Sequence, residues 1–535
     1  MKLSLKNPLQ AKSCSLVAIA LVTMGASQAA DPVRVFNKTV SGVPAANPVI
    51  LSDNVLSPEI TSGLVAQGSA QLENPSGVIT KFGNLSTGTR TEPDENTYLI
   101  LDHNPGGPTP SFDYGRHFLF QGHENSGNLA YVTRINLDVE SPDHRITLLT
   151  PVSMITGLTG FNSIDGSTWN PFSQTLLFTQ EAGNLLGTGI GGVIEMGADF
   201  DPNTGAGVGL RTLYGSIGRG GFEGIHPDDL GNILIIEDVG GTTIAAGTIP
   251  GQFGRNPNSF VFRFVPTNPA DLSQGILQAL QVSINGSPVT FVPVDTAHPT
   301  GDVLSNNQLL LHTVGASYPV SWVTVHDTAV EGTASFDASA AAKAAGATPF
   351  KRPENGQFQP GSQFQTFFFD ITGDTDSRAG EQAALAARGA WGGIFRVDLD
   401  ASRETGHISL VVLGDADHAA FDNLTFADDK NTILVAEDRG DMLHDQLHKL
   451  DSVWAYRLNT QNPAQNSVVR FMALGQDSVA LVSDEDNEPT GLHMSEGDST
   501  INGLIGTNIF NKDRARLFFT QQHGQNNLFE VFPRH

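Results

Sequence analysis

Residues 156–183, TGLTGFNSIDGSTWNPFSQTLLFTQEAG, decide how the chain is read. Asn170-Pro171 signals a turn. Leu176, Leu177, Phe178 and Thr179 form an apolar, β-favouring run, and Glu181 arrives where that strand should stop. An acid there faces a rim or a channel rather than a core. The same design returns along the chain: HFLFQGHENSG ends in Glu124, LGNILIIEDVGG in Glu237 and Asp238, NTILVAEDRGD in Glu437 and Asp438, and ARLFFTQQHGQN in Gln522 and His523. A further short strand follows most of these turns, as in LAYVTRINL, GGVIEM, SFVFRFV and VWAYRL. One such acid is compatible with a solvated turn of a β-sandwich. Five copies in one position predict an all-β protein, a β-propeller whose hairpins carry oxygen ligands at one end.

Composition supports a loop-rich β protein. Only 16% of the 535 residues are charged, while 57 are glycine and 29 proline, and no long segment keeps helical periodicity. Acids outnumber bases 56 to 30, which excludes a global basic surface for nucleic acid and suits a binder of divalent cations. Residues 1–30 read as a general secretory signal peptide: a basic start, an apolar run from Leu16 to Val22, and small Ser27 and Ala29 before Asp31. The expectation is export, periplasmic or extracellular, with no membrane span in the mature chain. The one cysteine, Cys14, lies in this leader, so the mature protein has neither disulfide nor thiolate ligand.

Residues 31–96 look like strand-and-turn material with little chemistry, and residues 31–535 read as one propeller domain. Alanine-rich residues 329–347 suggest a helical insertion near 329–350, crossing the top of the propeller, and EQAALAARG a second short helix. DITGDTDSRAGE, residues 370–381, spaces its acids like a calcium loop, but Thr375 stands where that loop needs Gly, so an ordinary turn is expected.

Taken in order, several motifs resemble those of the PhoX-type alkaline phosphatases, secreted calcium-dependent phosphomonoesterases. They are GHENSG, NSIDGSTW with FTQEAG, GFEGIHP, FKRPENGQF, FDNLTFADDKNTILVAEDRGD, and EPTGLHMSEGD with RLFFTQQHG. The resemblance spans about Leu101 to Phe532 and implies a six-bladed propeller with an iron pair and several calcium ions on its axis. Carried over by position, it implies Glu181, Glu223 and Glu354 as metal ligands, Arg352 as the phosphate grip and Asn162 nearby, with Glu124, Glu437 and Asp438 as further calcium candidates. One position departs from the pattern. The family's iron-binding cysteine is Ser163 here, and a hydroxyl is a poor ligand for ferric iron, so Ca2+ is expected while Fe3+ is in doubt.

The residue types match the chemistry. Several hard cations need many carboxylates, and Arg352 offers a planar fork suited to phosphate; its other reading is a structural bridge to Glu354 or an acid on a neighbouring blade. His123, His226 and His523 sit beside turns and are not expected to bind metal, although His226 could support the site. There is no G-x-S-x-G elbow, H-E-x-x-H motif or phosphate loop. The expectation is a monomeric phosphomonoesterase acting on small phosphorylated substrates. Its rivals are a calcium-stabilised, non-catalytic binding propeller and a phytase-like or esterase-like hydrolase.

Overall fold

The computed structural model describes residues 31–48, 54–106, 112–183, 190–200, 208–245, 253–427, 429–459, 461–475, 488–511 and 513–534. The leader at residues 1–30 lies outside them. No helix among the described residues is long and apolar enough to cross a membrane.

Six antiparallel sheets surround an axis. Their innermost strands are Glu92–Ile100, Ile164–Asn170, Phe222–Pro227, Pro353–Phe358, Phe421–Phe426 and Glu488–Ser495. Each packs beside the next, and the sixth returns to the first, so the ring closes as a six-bladed propeller. Strand Ser317–Asp327 lies between Asp271–Ile284 of blade three and Thr405–Leu413 of blade four, which fuses these two blades at their outer edges.

The second strand of each blade explains the uninterrupted apolar runs. Such a strand is covered on both faces, so its side chains alternate between two cores instead of between core and water. Phe118 and Phe120 point into the core shared with blade two, beside Leu176 and Phe178, while Leu119 packs with Phe518 and Leu528 of blade six. Leu177 faces the other way, toward Phe222, Ile233 and Phe262 of blade three. Phe367 and Phe369 join the core between blades three and four, and Phe368 joins the one between four and five. At about 1.5–3 kcal/mol for each fully buried large side chain, these inter-blade layers are what hold the ring together.

Closure uses the segment that looked featureless. Strand Ile60–Ala66 forms the outer edge of blade six, paired with Leu528–Pro533, and Asn54–Leu56 extends blade five against Ser467–Leu474. The predicted insertion holds two helices, Thr328–Glu331 and Ala338–Ala345. The second packs Ala338 and Ala342 into the core of blade three rather than spanning the top of the ring. The calcium-loop-like run is structural: Asp370 accepts the Asn355 N–H, Asp374 pairs with Lys351, and Asp376 caps the turn at Ser377–Gly380.

Candidate metal and phosphate site

Every innermost strand begins at the same end of the channel, and every one carries an acid there: Asp94, Asp165, Glu223, Glu354, Asp422 and Glu488, all buried. In five blades the register with the second strand slips at this position, for example between Phe222 and Ile225 and between Pro353 and Gly356, while in the sixth it slips further along, between Thr490 and His493. A β-bulge at a strand end re-aims a side chain, and here the slips accompany acids gathered at the axis. Ser163, Arg352 and Ala420, each two residues ahead of an axial acid, have left-handed backbones with φ of 40°, 52° and 55°. Non-glycine residues rarely adopt this conformation, and its repetition at equivalent positions marks a device for turning the chain into the channel. Close approach of the inner strands demands small residues: a methyl on Gly166 would overlap the carbonyl oxygen of Glu223 on the next blade.

The acids form two groups. Asp94, Glu124 and Asp165 can bring ligand oxygens within 4.8 Å of one another, and so can Glu223, Glu354 and Asp422. The carboxyls of Glu181 and Glu124 lie within hydrogen-bonding reach of each other, as do those of Glu488 and Asp422. Such crowding resists ionisation. Burial, then the charge of Asp422, pushes the Asp94 carboxyl up to about 7, and Glu95 rises to about 8, mainly through burial. Burial, then Asp438, raises Asp422 to about 6. Glu124, Asp165, Glu181, Glu223, Glu354, Asp370 and Glu488 are all driven well above the usual carboxylate range, first by burial and then by neighbouring acids. Asp165 Oδ1, Asp370 Oδ2 and Asp422 Oδ2 are buried with no hydrogen-bond partner. Orphaned, convergent carboxyl oxygens that resist ionising beside one another are the donor set that a hard cation satisfies, so the residues fit one.

One guanidinium enters this basin. Arg352 Nε and Nη2 donate to Asp238 Oδ2 at 3.0 and 2.9 Å, and Nη2 lies 3.3 Å from Glu354 Oε1. Arg352 and Asp438 also border a cavity of about 470 Å3. The bridge to Glu354 and to an acid of the neighbouring blade is therefore present, and the same fork faces a space into which a substrate fits.

Of the residues singled out from sequence, Glu124, Glu181, Glu223, Glu354, Asp438 and Arg352 come together. Glu437 does not join them. It is buried against Arg439, whose Nη2 lies 2.6 Å from its Oε1, and it accepts the Ala419 N–H. Asn162 is occupied by Asn128, accepting its N–H and donating to its Oδ1 at 2.9 Å. His123 stacks on Tyr131 and bonds Thr133 Oγ1, apart from the acids. His226 lies deeper along the channel with His493, and burial holds their imidazoles down at about 4 and about 3. Sequence reasoning missed Asp94, Asp165, Asp422 and Glu488. A usable signal was the acid followed by Gly or Asn in IDG, FEG, PEN and FDN.

Residues 254–495, under half of the chain, match the family model for alkaline phosphatase PhoX. Pseudomonas fluorescens PhoX, solved in complex with vanadate, a transition state analogue, superposes with a TM-score of 0.53 at 12% identity, covering 92% of this chain and 98% of that one. The PQQ domain of pyranose dehydrogenase from Coprinopsis cinerea covers 92% of this chain and 99% of its own at 10% identity, with a TM-score of 0.32. No curated relative matches the sequence. The family model across blades three to six, together with motifs that resemble the family in order along the six-bladed ring, supports a place for this chain in the PhoX alkaline phosphatase family.

Proposed function

We propose that the protein is an exported, monomeric, metal-dependent phosphomonoesterase that releases phosphate from small organic esters at the axial acid basin. The observation that carries this reading is the convergence of six buried acids, one per blade, on a basin whose guanidinium is Arg352. The ligands would be Asp94, Glu124 and Asp165 in one group and Glu223, Glu354 and Asp422 in the other, with Glu181, Glu488 and Asp438 completing the shell. Hard cations held there would supply Lewis acidity toward phosphoryl oxygens.

The remaining work falls to the chain. Asp238 fixes the plane of the Arg352 fork, and Glu354 draws it over the basin. The fork then grips a phosphate oxygen by charge-assisted hydrogen bonds. Burial excludes bulk water from the carboxylates, which strengthens their hold on cations. Asn162 acts by anchoring the loop around Asn128 beside the basin. All of these acids are oxygen donors and Ser163 stands where the family has a thiolate, so the set fits calcium or another hard ion and lacks the sulfur ligand of the family's iron pair.

Hydrolysis of p-nitrophenyl phosphate at alkaline pH after loading with calcium, with and without iron, tests the reading. Turnover should vanish on chelation and in Glu354→Gln. Absence of turnover under every metal, with chelation lowering only the melting temperature, would instead establish the non-catalytic, calcium-stabilised propeller that Ser163 keeps in view.

A further inference from the structure

Four guanidiniums line the cavity bordered by Arg352, those of Arg255, Arg352, Arg378 and Arg439, together with Asp374, Asp376 and Asp438, and one of the four is in contact with no carboxylate among the described residues. Arg439 is paired with Glu437. Arg378 is saturated by Asp376, with Nη2 to Oδ2 at 2.6 Å. Arg352 is held by Asp238. The carboxylate of Asp374 is taken by buried Lys351 at 3.0 Å. Arg255 receives only neutral contacts from its own side chain: its Nε donates to the Asp374 carbonyl oxygen at 3.2 Å, while its backbone N–H donates to Asp374 Oδ1 at 2.8 Å. No carboxylate among the described residues pairs with its guanidinium. Space is kept for that group, because a Cβ at Gly240 would come within 3.0 Å of Arg255 Nη1.

In a protein with a formal charge of -26, a half-buried guanidinium that touches no carboxylate and feels a second arginine, Arg352, is an unfavourable arrangement unless an anion completes it. The anion gripped by Arg352 is the ester phosphate under the phosphatase reading, on which this inference rests. Arg255 lines the same cavity as the Arg352 fork. The cavity volume suits a leaving group of sugar size.

We propose that Arg255 is the seat for a second anionic group, a carboxylate or a further phosphate, carried by the leaving group of the substrate. Arg255 is thus a specificity residue that selects doubly anionic esters over esters of neutral alcohols. The net charge of the protein makes the effect diagnostic, because an additional negative charge on a ligand would otherwise weaken its binding.

The test compares matched esters on the metal-loaded full chain: 3-phosphoglycerate against glycerol 3-phosphate for a carboxylate, and glucose 1,6-bisphosphate against glucose 6-phosphate for a phosphate. Wild type should favour one doubly anionic member by about tenfold in kcat/KM, carried by KM, as expected for a charge-assisted contact. Arg255→Gln should abolish that ratio, and Arg255→Lys should keep part of it. The pair that responds identifies the anion. Equal kcat/KM for both members in wild type, or an equal loss for both in Arg255→Gln, overturns the proposal. If glycerol 3-phosphate and 3-phosphoglycerate are both inert, the phosphatase reading fails. Calorimetric Kd values of the same ligands on wild type and Arg255→Gln then decide the seat: tighter binding of 3-phosphoglycerate that the substitution removes supports it, and no difference refutes it.

Discussion

Stripping cations from this propeller should make its stability fall as pH rises, the opposite of the usual behaviour of structural carboxylates. Asp94 goes from an ordinary 3.8 to about 7 in the fold, Asp422 from 3.8 to about 6, and Glu95 from 4.5 to about 8, with burial the leading cause in each. A folded-state pKa above the unfolded one means that the native state holds protons the unfolded chain has already released. The stability these groups allow is complete below about pH 4, and it drains away between there and about pH 8. At about 1.36 kcal/mol for each unit, Asp422 alone accounts for roughly 3 kcal/mol and Asp94 for roughly 4. The groups titrate together, so their sum is not the total, and a loss of at least about 3 kcal/mol is expected. Urea unfolding of chelated protein between about pH 5 and about pH 8, read as midpoint and slope, measures it. Calcium at saturating concentration should remove most of the pH dependence by binding the native state alone. Asp94→Asn should flatten the chelated slope, which general repulsion among surface acids would leave unchanged. A chelated midpoint that holds steady or climbs with pH would refute the account of the basin.

Three further outcomes follow from single residues. Glu223→Gln removes one anionic ligand from the second acid group, so calorimetry should find at least one bound ion fewer or a tenfold weaker affinity, with turnover lost; unchanged ion content would take Glu223 out of the site. Gly166→Ala forces a methyl against the Glu223 carbonyl and should cost about 1–3 kcal/mol in unfolding free energy, whereas Gly77→Ala, which meets nothing within 4 Å, should cost far less. Arg439→Met leaves buried Glu437 without its cation and should destabilise the fold by about 3–5 kcal/mol in urea unfolding; an unchanged unfolding free energy would show that the pair carries no stability.

The blades were legible because their second strands are sealed on both faces and spell unbroken runs such as LLF, FFF and ILVA. Acids ending those runs were visible for the same reason, and Glu124 and Glu181 do reach the basin. Hydrophobic pattern is blind to the innermost strands. DENTYLI, IDGSTWN and FDNLTF line a polar channel, so Asp94, Asp165 and Asp422 sit in segments that look like turns. Glu437 misled because its position repeats that of Glu181 while its charge is spent on Arg439 two residues later. The latch was hidden for another reason: Ile60–Ala66 is an outer edge strand, half exposed and weakly apolar, and its partner lies at the far end of the chain.

That latch governs when the two acid groups share one centre. Blade six cannot be completed until Leu528–Pro533 finds Ile60–Ala66, and the six axial acids, spread from Asp94 to Glu488, have no common centre before the circle shuts. Each acid group lies on consecutive blades, so a growing polypeptide can gather either one alone, whereas the two face one another around a single axis only after its final hairpin has docked. An ion held by both groups at once would then mark chains whose two ends have met.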